Sequence, residues 1–244
     1  METFFTTSDK IQHIIKSFNL TKTLFVSSII IGEAHTGKKT LARYLFPDAV
    51  LVSGENQDEV VLALESYDEL IISNFEKLSN QSKLDFSNKR IIATADYMGN
   101  PSIVDDIFAF IYTMPSLQER PNDVKFLHNL FVKEAESTLM LNNQNTLSDT
   151  IPLDLTANSK SLKKSIYYHL MKQTMGVDDI KEMLYDYLSS HLEGNNNYRA
   201  HLELYEVPLI KAGLKKYGSQ LQLSQALGIN RNTLRKKIHE HHID

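Results

Sequence analysis

The chain contains no cysteine, and none of its apolar runs approaches the length that spans a bilayer. Without cysteine there is no disulfide framework, no thiolate nucleophile and no cysteine-based zinc site. The N-terminus also lacks the basic segment and apolar core of a signal peptide. We therefore expect a soluble, cytoplasmic protein with no membrane partner, and the sequence assigns no metal ligand.

The charge of the chain is unevenly distributed. Its 244 residues are enough for one core and a small appended domain, and the formal net charge is −4. The segment Glu203–Asp244 has seven basic and four acidic residues, which leaves 19 basic and 26 acidic residues for the remainder. An acidic body with a basic end concentrates attraction for nucleic acid near the C-terminus.

The C-terminal run GINRNTLRKKIHEHHID predicts a helix-turn-helix. A turn at Gly228 separates an apolar helix from a basic helix that opens at Asn230. Leu234 and Ile238 lie four residues apart and form the inward stripe, so the basic and amide side chains face out, as a reader of the DNA major groove requires. The candidate DNA-binding residues are Gln220, Gln222, Asn230, Arg231, Asn232, Thr233, Arg235, Lys236 and Lys237.

This run resembles the Fis-type helix-turn-helix of bacterial enhancer-binding proteins of the NtrC class. Leu227 to Ile238 match the family's LGINRNTLRKKL at every position except the last. Leu202–Tyr217 looks like the long scaffold helix of that domain. Gln222 replaces a basic phosphate contact of the family, which lowers affinity more than specificity, because phosphate contacts position a protein and base contacts specify the sequence.

A partner chain is also expected. One helix-turn-helix contacts one half-site, and specific affinity normally needs two half-sites about one turn of DNA apart. Apolar helical faces in Asp178–Leu192 and Tyr198–Tyr217 can pair two chains, as the resemblance to Fis also implies. The expected partners are therefore double-stranded DNA and a second copy of the chain.

The second informative stretch is a phosphate-loop pattern. The β-branched, apolar run Thr23–Ile31 predicts a buried strand, and GEAHTGKKT follows it directly. Gly32, Gly37 and Lys38 have the spacing of a loop whose backbone N–H groups hold phosphate oxygens. ATP or ADP is the candidate ligand, and no other cofactor is assigned. The candidate nucleotide-binding residues are Gly32, Glu33, Ala34, His35, Thr36, Gly37, Lys38, Lys39 and Thr40.

The order of elements predicts an α/β fold. Apolar segments at 50–53, 70–73, 89–94 and 110–114 read as further strands, with helical segments between them, which implies parallel strands and right-handed crossovers. From Ser28 to about Ala135 the chain resembles the AAA+ module of the NtrC class, since RIIATADY parallels RIIAATN and MPSLQERPNDV parallels LPPLRERKEDI. The predicted fold is a P-loop, AAA+-like three-layer core with a parallel sheet, a helical lid and a small all-α helix-turn-helix domain.

Four domains are predicted. An N-terminal helix covers 1–22, and a degenerate AAA+-like core covers 23–140. A helical lid covers 141–196, in which a weaker match to the family places Lys160 at the nucleotide-sensing arginine. The Fis-type helix-turn-helix domain covers 197–244.

Several family features are missing from the core. The strand that should end in Asp-Glu ends in Ser73 and Asn74, which supply neither the anionic partner of magnesium nor a base. The segment aligned with the arginine fingers carries Asp105 and Asp106 instead. Lys39 occupies the position of the magnesium-binding hydroxyl, with Thr40 one residue late, and His35 replaces the second loop glycine. These absences predict no catalytic residue and no enzyme activity, with residual nucleotide binding left open.

The sequence therefore predicts a sequence-specific DNA-binding transcriptional regulator with a hydrolysis-deficient AAA+-like module. The family's GAFTGA loop is missing between 53 and 70, so activation of the nitrogen-type sigma factor is not expected. One alternative is a slow ATPase that couples hydrolysis to transcription control through Glu33, Asp68 or Glu69. A second alternative is a nucleoid-type architectural protein that bends DNA with little sequence preference.

Overall fold

A parallel β-sheet forms the centre of the larger of two compact units. The structure is a computed structural model, and it describes residues 4–141 and 151–243. All strand pairs are parallel and the strand order is β2-β3-β4-β1-β5, so β1 lies between β4 and β5. The strands are β1 (Ser28–Ile31), β2 (Val50–Ser53), β3 (Glu69–Ser73), β4 (Arg90–Ala95) and β5 (Phe110–Thr113).

Alternating side chains of each central strand enter different cores on the two faces of the sheet. Ile30, Ile71 and Ile92 pack on one face against α1 (Asp9–Thr21) and α2 (Lys38–Leu45). Their strand neighbours, including Ile29 and Ile72, pack on the other face against α3 (Gln57–Ser66) and α4 (Pro101–Ile107). Both faces are covered, which is why these strands are almost continuously apolar in sequence.

The first strand is shorter than predicted. The apolar run begins at Thr23, but β1 pairs only from Ser28. The backbone N–H groups of Leu24 and Val26 donate to nearby carbonyls, those of Thr21 and Leu24, and so do not pair with a strand. The guanidinium of Arg90 donates to the carbonyl of Lys22 and lies 5.8 Å from the ring centroid of Phe25. The residues before Ser28 therefore lead the chain up to the sheet and do not join it.

Two helices follow the sheet and share a separate core. They are α5 (Pro121–Thr138) and α6 (Asn158–Thr174), and they bury Val132, Leu162 and Ile166 together with the preceding 3-10 turn at Leu117. Residues 142–150, at the start of the predicted lid, lie outside the described residues. The first unit ends at Thr174.

The second unit begins at Met175 and is entirely helical among its described residues. Sequence analysis assigned 177–191 to the lid, but the structure places this helix in the second unit. A small core of Ile210, Leu223, Leu234 and Ile243 holds the unit together, and the final residue, 244, lies outside the described part. The helices are α7 (Val177–His191), α8 (Asn197–His201), α9 (Glu203–Tyr217), α10 (Gln220–Leu227) and α11 (Arg231–Glu240).

The predicted fold class is confirmed. A parallel sheet lies between helical layers, the loop after β1 leads directly into α2, and an all-α unit ends the chain. Within the described ranges no helix combines the length and apolarity needed to cross a bilayer.

Candidate functional site

The loop between β1 and α2 has the backbone shape that its glycines predict. A Cβ on Gly32 would lie 2.5 Å from the carbonyl oxygen of Met114, so no side chain fits there. Gly37 has a φ of 97°, and His35 has a φ of 61°. His35 therefore holds a left-handed conformation that favours glycine, which is the strain expected where it replaces a loop glycine.

The ammonium of Lys38 is buried and has three acceptors. Its Nζ donates to the carbonyl oxygens of Gly32 and Glu33, both at 2.7 Å, and to Oδ1 of Asp96 at 2.9 Å. An ammonium has three donors, so all of them are used. A phosphate that binds Lys38 must displace an acceptor, and the Asp96 carboxylate is the only one of the three on a side chain.

Residues from the lid side of this unit hold the carbonyl oxygens of the loop. Nδ2 of Asn158 donates to the carbonyl of Ala34 at 3.0 Å and to Oε2 of Glu33 at 2.9 Å. The hydroxyl of Ser159 donates to the carbonyl of His35 at 2.7 Å. Lys160, which the resemblance placed at the sensing arginine, is exposed beside these residues. The first residues of α6 therefore contact the loop through an amide and a hydroxyl.

A buried ion pair ties the N-terminal segment to the same loop. Nη2 of Arg120 donates to the carbonyl of Thr36 at 2.8 Å, and its Nη1 lies 3.5 Å from Oδ2 of Asp123. The Asp123 carboxylate also accepts from the Thr6 hydroxyl and the Thr7 backbone N–H, both at 2.8 Å. Burial lowers the pKa of Arg120, and the attraction of Asp123 opposes that shift.

Two cavities meet at the loop. One, of about 440 Å³, opens beside Lys38, and the other, of about 240 Å³, is largely apolar. Gly37, Thr40 and Ser159 line both of them. The first is also lined by Ala34, His35, Lys38, Lys39, Ser73, Asn74, Lys77, Thr94 and Asp96. The second is also lined by Phe4, Phe5, Thr36, Arg120, Asp123, Phe126, Leu127, Leu130 and Phe131.

The end of β3 carries no carboxylate. Ser73 is buried and its hydroxyl donates to the carbonyl of Val52 at 3.1 Å, so it serves the sheet. Asn74 follows with a φ of 54°. Asp105 and Asp106 lie exposed on α4. The connection from β2 to β3 forms α3, and no long loop leaves the sheet there.

The helix pair α10 and α11 is defined by three caps. The hydroxyl of Ser219 accepts from the backbone N–H of Leu221 at 3.2 Å and begins α10. Gly228 ends α10 with a φ of 65°. Oδ1 of Asn230 accepts from the backbone N–H of Asn232 at 2.8 Å and begins α11. Side-chain N-caps and a left-handed C-cap fix the turn between the two helices.

The structure brings most of the predicted DNA-binding side chains to the exposed surface of α11 and its cap. Leu234 is fully buried and Ile238 packs beside it, so the inward stripe is confirmed. Gln220 and Lys237 are only partly exposed. The exposed members of the set are Gln222, Asn230, Arg231, Asn232, Thr233, Arg235 and Lys236.

Lys237 is held by a carboxylate of the scaffold helix. Its ammonium donates to Oε1 of Glu206, and Nε2 of His241 lies 3.0 Å from Oε2 of the same residue. The hydrogen bonds from Lys237 and then His241 lower the pKa of Glu206, and burial opposes them. This cluster joins α9 to the end of α11.

Helix α7 has an exposed apolar face. None of its residues is buried. Ile180, Met183 and Leu184 are exposed on it, with Tyr187 one turn further. The spacing of three and four residues puts these side chains along one face of the helix.

Sequence reasoning missed several residues of the loop site. Asp96 lies in the RIIATADY motif, and a carboxylate directly after a central strand could have predicted that it lies near the loop. Asn158 and Ser159 lie in the segment that was matched to the lid. Arg120 and Asp123 lie in the third matched motif, but no local pattern in the sequence shows that they contact the loop.

Comparison with known proteins agrees with these observations. No protein-family profile matches the chain. The DNA-binding transcriptional regulator NtrC of Bradyrhizobium sp. (strain RP501 Parasponia) is 41% identical over 75 residues, which are 28% of this chain and 16% of that protein. NtrC of Azospirillum brasilense is 42% identical over 65 residues, 25% of this chain and 14% of that protein. The match thus spans a small part of either relative.

Solved structures share the fold at low sequence identity. NtrX from Brucella abortus in complex with ADP has a TM-score of 0.53 at 14% identity, over 99% of this chain and 70% of that chain. The complex of the same protein with ATP has a TM-score of 0.55 at 14% identity, with the same coverage.

These nucleotide-bound structures correct one prediction. The sequence predicted no enzyme, because Ser73 and Asn74 replace the acidic pair and no arginine finger is present. That prediction is wrong, since the chain shares the fold of a protein whose structures were determined in complex with ADP and with ATP. The chain keeps the fold of these proteins although Ser73 and Asn74 stand where an acidic pair was expected, and the Asp96 carboxylate lines the cavity.

Proposed function

We propose that the chain is a sequence-specific DNA-binding transcriptional regulator with a nucleotide-binding AAA+-like core. The observation that carries the proposal is the capped α10–α11 pair with its row of exposed amide and basic side chains. The similarity to NtrC, a DNA-binding transcriptional regulator, supports it. Nothing in the β2–β3 connection resembles a GAFTGA loop, so activation of the nitrogen-type sigma factor is not part of the proposal.

The DNA contacts divide by position along α11. Asn230, Arg231 and Thr233 lie at its N-terminal end, which enters the major groove in helix-turn-helix proteins. Arg231 can pair bidentately with a guanine edge. We assign Asn232, Arg235 and Lys236, with Gln220 and Gln222 from α10, mainly to the phosphate backbone and groove wall. Lys237 makes the weakest contact, because Glu206 already holds its ammonium.

The two cavities suit the two halves of a nucleotide. Phosphates bind at the loop, where Lys38 and the backbone from His35 to Thr40 lie at the N-terminus of α2. The apolar cavity beside it presents aromatic rings from the N-terminal segment and α5, and the rings of Phe5 and Phe126 stack at 4.1 Å between centroids. A flat, apolar base fits this lining.

A second copy of the chain is the proposed protein partner. The exposed apolar face of α7 and the exposed Leu204 and Tyr205 of α9 belong to the same unit as the helix-turn-helix. Pairing these faces would give two recognition helices for two half-sites. Sedimentation of the full chain, free and on a palindromic site, tests this, and a strict monomer in both states would exclude it.

A slow ATPase coupled to transcription control is the second candidate function. The nucleotide-bound structures of the same fold favour it, and Asp96 and Glu33 are the carboxylates at the loop. Phosphate release by the full chain, measured with and without magnesium, tests it. Activity that Lys38→Ala abolishes would establish turnover at this site.

Competition binding tests the DNA function directly. A labelled fragment from a genome-wide binding map is titrated with the protein in the presence of excess random DNA. Retention of the cognate complex supports a sequence-specific regulator. Equal competition by random DNA would instead favour an architectural protein that bends DNA without reading it.

A further inference from the structure

The cavity of about 440 Å³ beside Lys38 has more basic than acidic side chains in its lining. Three of its lining residues are lysines, namely Lys38, Lys39 and Lys77, and the only carboxylate among them is that of Asp96. The carboxylate is already paired with Lys38 at 2.9 Å. Two lysines therefore line the cavity in addition to the Lys38–Asp96 pair, and one of them, Lys77, pairs with Glu55, which is not part of the lining.

The donor set does not fit magnesium, the ion that this fold ordinarily binds with nucleotides. Magnesium is held in such sites by carboxylates and hydroxyls together with the phosphates. The lining offers the hydroxyls of Ser73, Thr40 and Thr94 but a single carboxylate. The Ser73 hydroxyl donates to the carbonyl of Val52, and the Asp96 carboxylate is ion-paired with Lys38, so the lining has no carboxylate left for the metal. Within the described residues no group of three or more acidic or histidine side chains could hold a metal ion.

Two further lysines line the cavity beside Lys38. Lys39 is the second residue of α2 and is exposed, and no hydrogen bond or ion pair of its ammonium is found within residues 4–141 and 151–243. Lys77 lies on the 3-10 turn that follows β3 and pairs with Glu55 at 2.5 Å. Neither side chain is buried, so Lys39 can approach a ligand directly, and Lys77 can do so by exchanging its exposed partner Glu55.

We propose that this cavity binds the phosphate chain of a nucleotide without a divalent cation, with Lys39 and Lys77 supplying the charge beside Lys38 that magnesium would otherwise supply. The inference rests on the proposed nucleotide site and names its mode of binding. A phosphate oxygen replaces the Asp96 carboxylate on Lys38, and the released carboxylate remains near Lys77. Magnesium then competes with the lysines for the same phosphate oxygens, so it leaves the affinity unchanged or lowers it.

Calorimetric titration of the full chain with ADP, in EDTA and in millimolar magnesium, tests the proposal. The wild-type protein should bind ADP at least as tightly in EDTA. Lys39→Ala and Lys77→Ala should each weaken binding in EDTA by about tenfold or more, since each removes a charge-assisted contact to phosphate. Lys39→Arg keeps the charge and should retain binding.

A matched control separates a local contact from overall charge. Lys16 is exposed on α1, away from the cavity lining, and Lys16→Ala removes one positive charge from the same unit. It should leave ADP affinity unchanged. Circular dichroism of each variant excludes unfolding as the cause of a loss.

Three results would overturn the inference. A tenfold or greater gain in wild-type affinity on adding magnesium would show that a metal site exists. Unchanged affinity in Lys39→Ala and Lys77→Ala would show that neither ammonium contacts the phosphates. No binding by wild type in either condition at millimolar ADP would remove the proposed nucleotide site itself, which is a different failure from a metal-dependent site.

Discussion

The loop between β1 and α2 and the helix α11 differ in how their polar groups are occupied. In the loop, the Lys38 ammonium has three protein acceptors, and Ala34, His35 and Thr36 each have a carbonyl bonded to a side chain far away in sequence. On α11, Arg231, Asn232, Thr233, Arg235 and Lys236 present their side chains to solvent. The polar groups of the loop are therefore already hydrogen-bonded within the protein, and some of these bonds must break before a ligand can bind. The exposed side chains of α11 can contact a ligand without such an exchange.

The largest loss of stability is expected on removal of the Asp123 carboxylate, which pairs with the loop contact Arg120. Asp123→Ala leaves the buried guanidinium of Arg120 without its carboxylate and frees Thr6 and Thr7. Removal of one partner of a buried ion pair costs about 3–5 kcal/mol. Calorimetric unfolding should show a large loss in the unit that ends at Thr174, with the transition of the second unit unchanged.

Asp68→Ala is the matched control for that variant. Asp68 also pairs with a basic residue, Lys89 at 3.0 Å, but its side chain is 81% exposed. Exposed pairs contribute about 0–1 kcal/mol. An equal loss in both variants would show that the buried network does not hold the loop.

The two regions also differ in how well the sequence predicts them, because the contacts of one are local in sequence and those of the other are distant. The helices α10 and α11 and the turn between them were predicted closely because their determinants are local: Ser219 and Asn230 cap N–H groups two residues ahead, and Gly228 ends a helix at its own position. The loop was predicted as a backbone shape only. Asn158 and Arg120 reach it across 124 and 84 residues of chain, and no periodicity or motif encodes contacts of that range.

Two features of the structure were not foreseen from the sequence, each for an identifiable physical reason. Lys237 follows the basic run and was expected to face DNA, but Glu206, 31 residues earlier, holds its ammonium. The strand from Thr23 was too long, because the N–H groups of Leu24 and Val26 bond to carbonyls of their own segment. The local pattern gave no sign of either contact.

The second largest loss of stability is expected in the unit that begins at Met175. A Cβ on Gly213 would lie 2.2 Å from Cδ1 of Leu223, which is fully buried and cannot move aside. Gly213→Ala should therefore cost about 1–3 kcal/mol by overpacking the contact between α9 and α10. Calorimetry should show the loss in the second unit alone.

Gly176→Ala provides the comparison within that unit. Its added Cβ would meet Oδ2 of Asp179 at 3.5 Å, an ordinary contact, and Gly176 has a φ of −83°. Unfolding should be almost unchanged. If Gly213→Ala were as harmless as this variant, the close approach of α9 and α10 would not exist in solution.

The recognition helix should respond to substitution by position. Arg231→Ala should weaken cognate DNA by about 1–3 kcal/mol and relax preference at one base pair. Lys236→Ala should weaken all sequences alike and reduce the salt slope of binding by about one. Fluorescence anisotropy with cognate and random duplexes over a range of salt concentrations separates the two. Equal weakening of cognate and random DNA by Arg231→Ala would contradict its base-reading role.

The smallest effect concerns Lys237, a basic side chain of α11 that is held by a carboxylate of another helix. Glu206→Gln removes the carboxylate that holds Lys237 and frees its ammonium for a phosphate. The salt slope of DNA binding should then steepen by up to about one, opposite in sign to Lys236→Ala. Glu203→Gln, an exposed change of the same charge on α9, should leave the slope almost unchanged. A slope that steepened equally in both variants would mean that overall charge, and not the release of Lys237, sets the response.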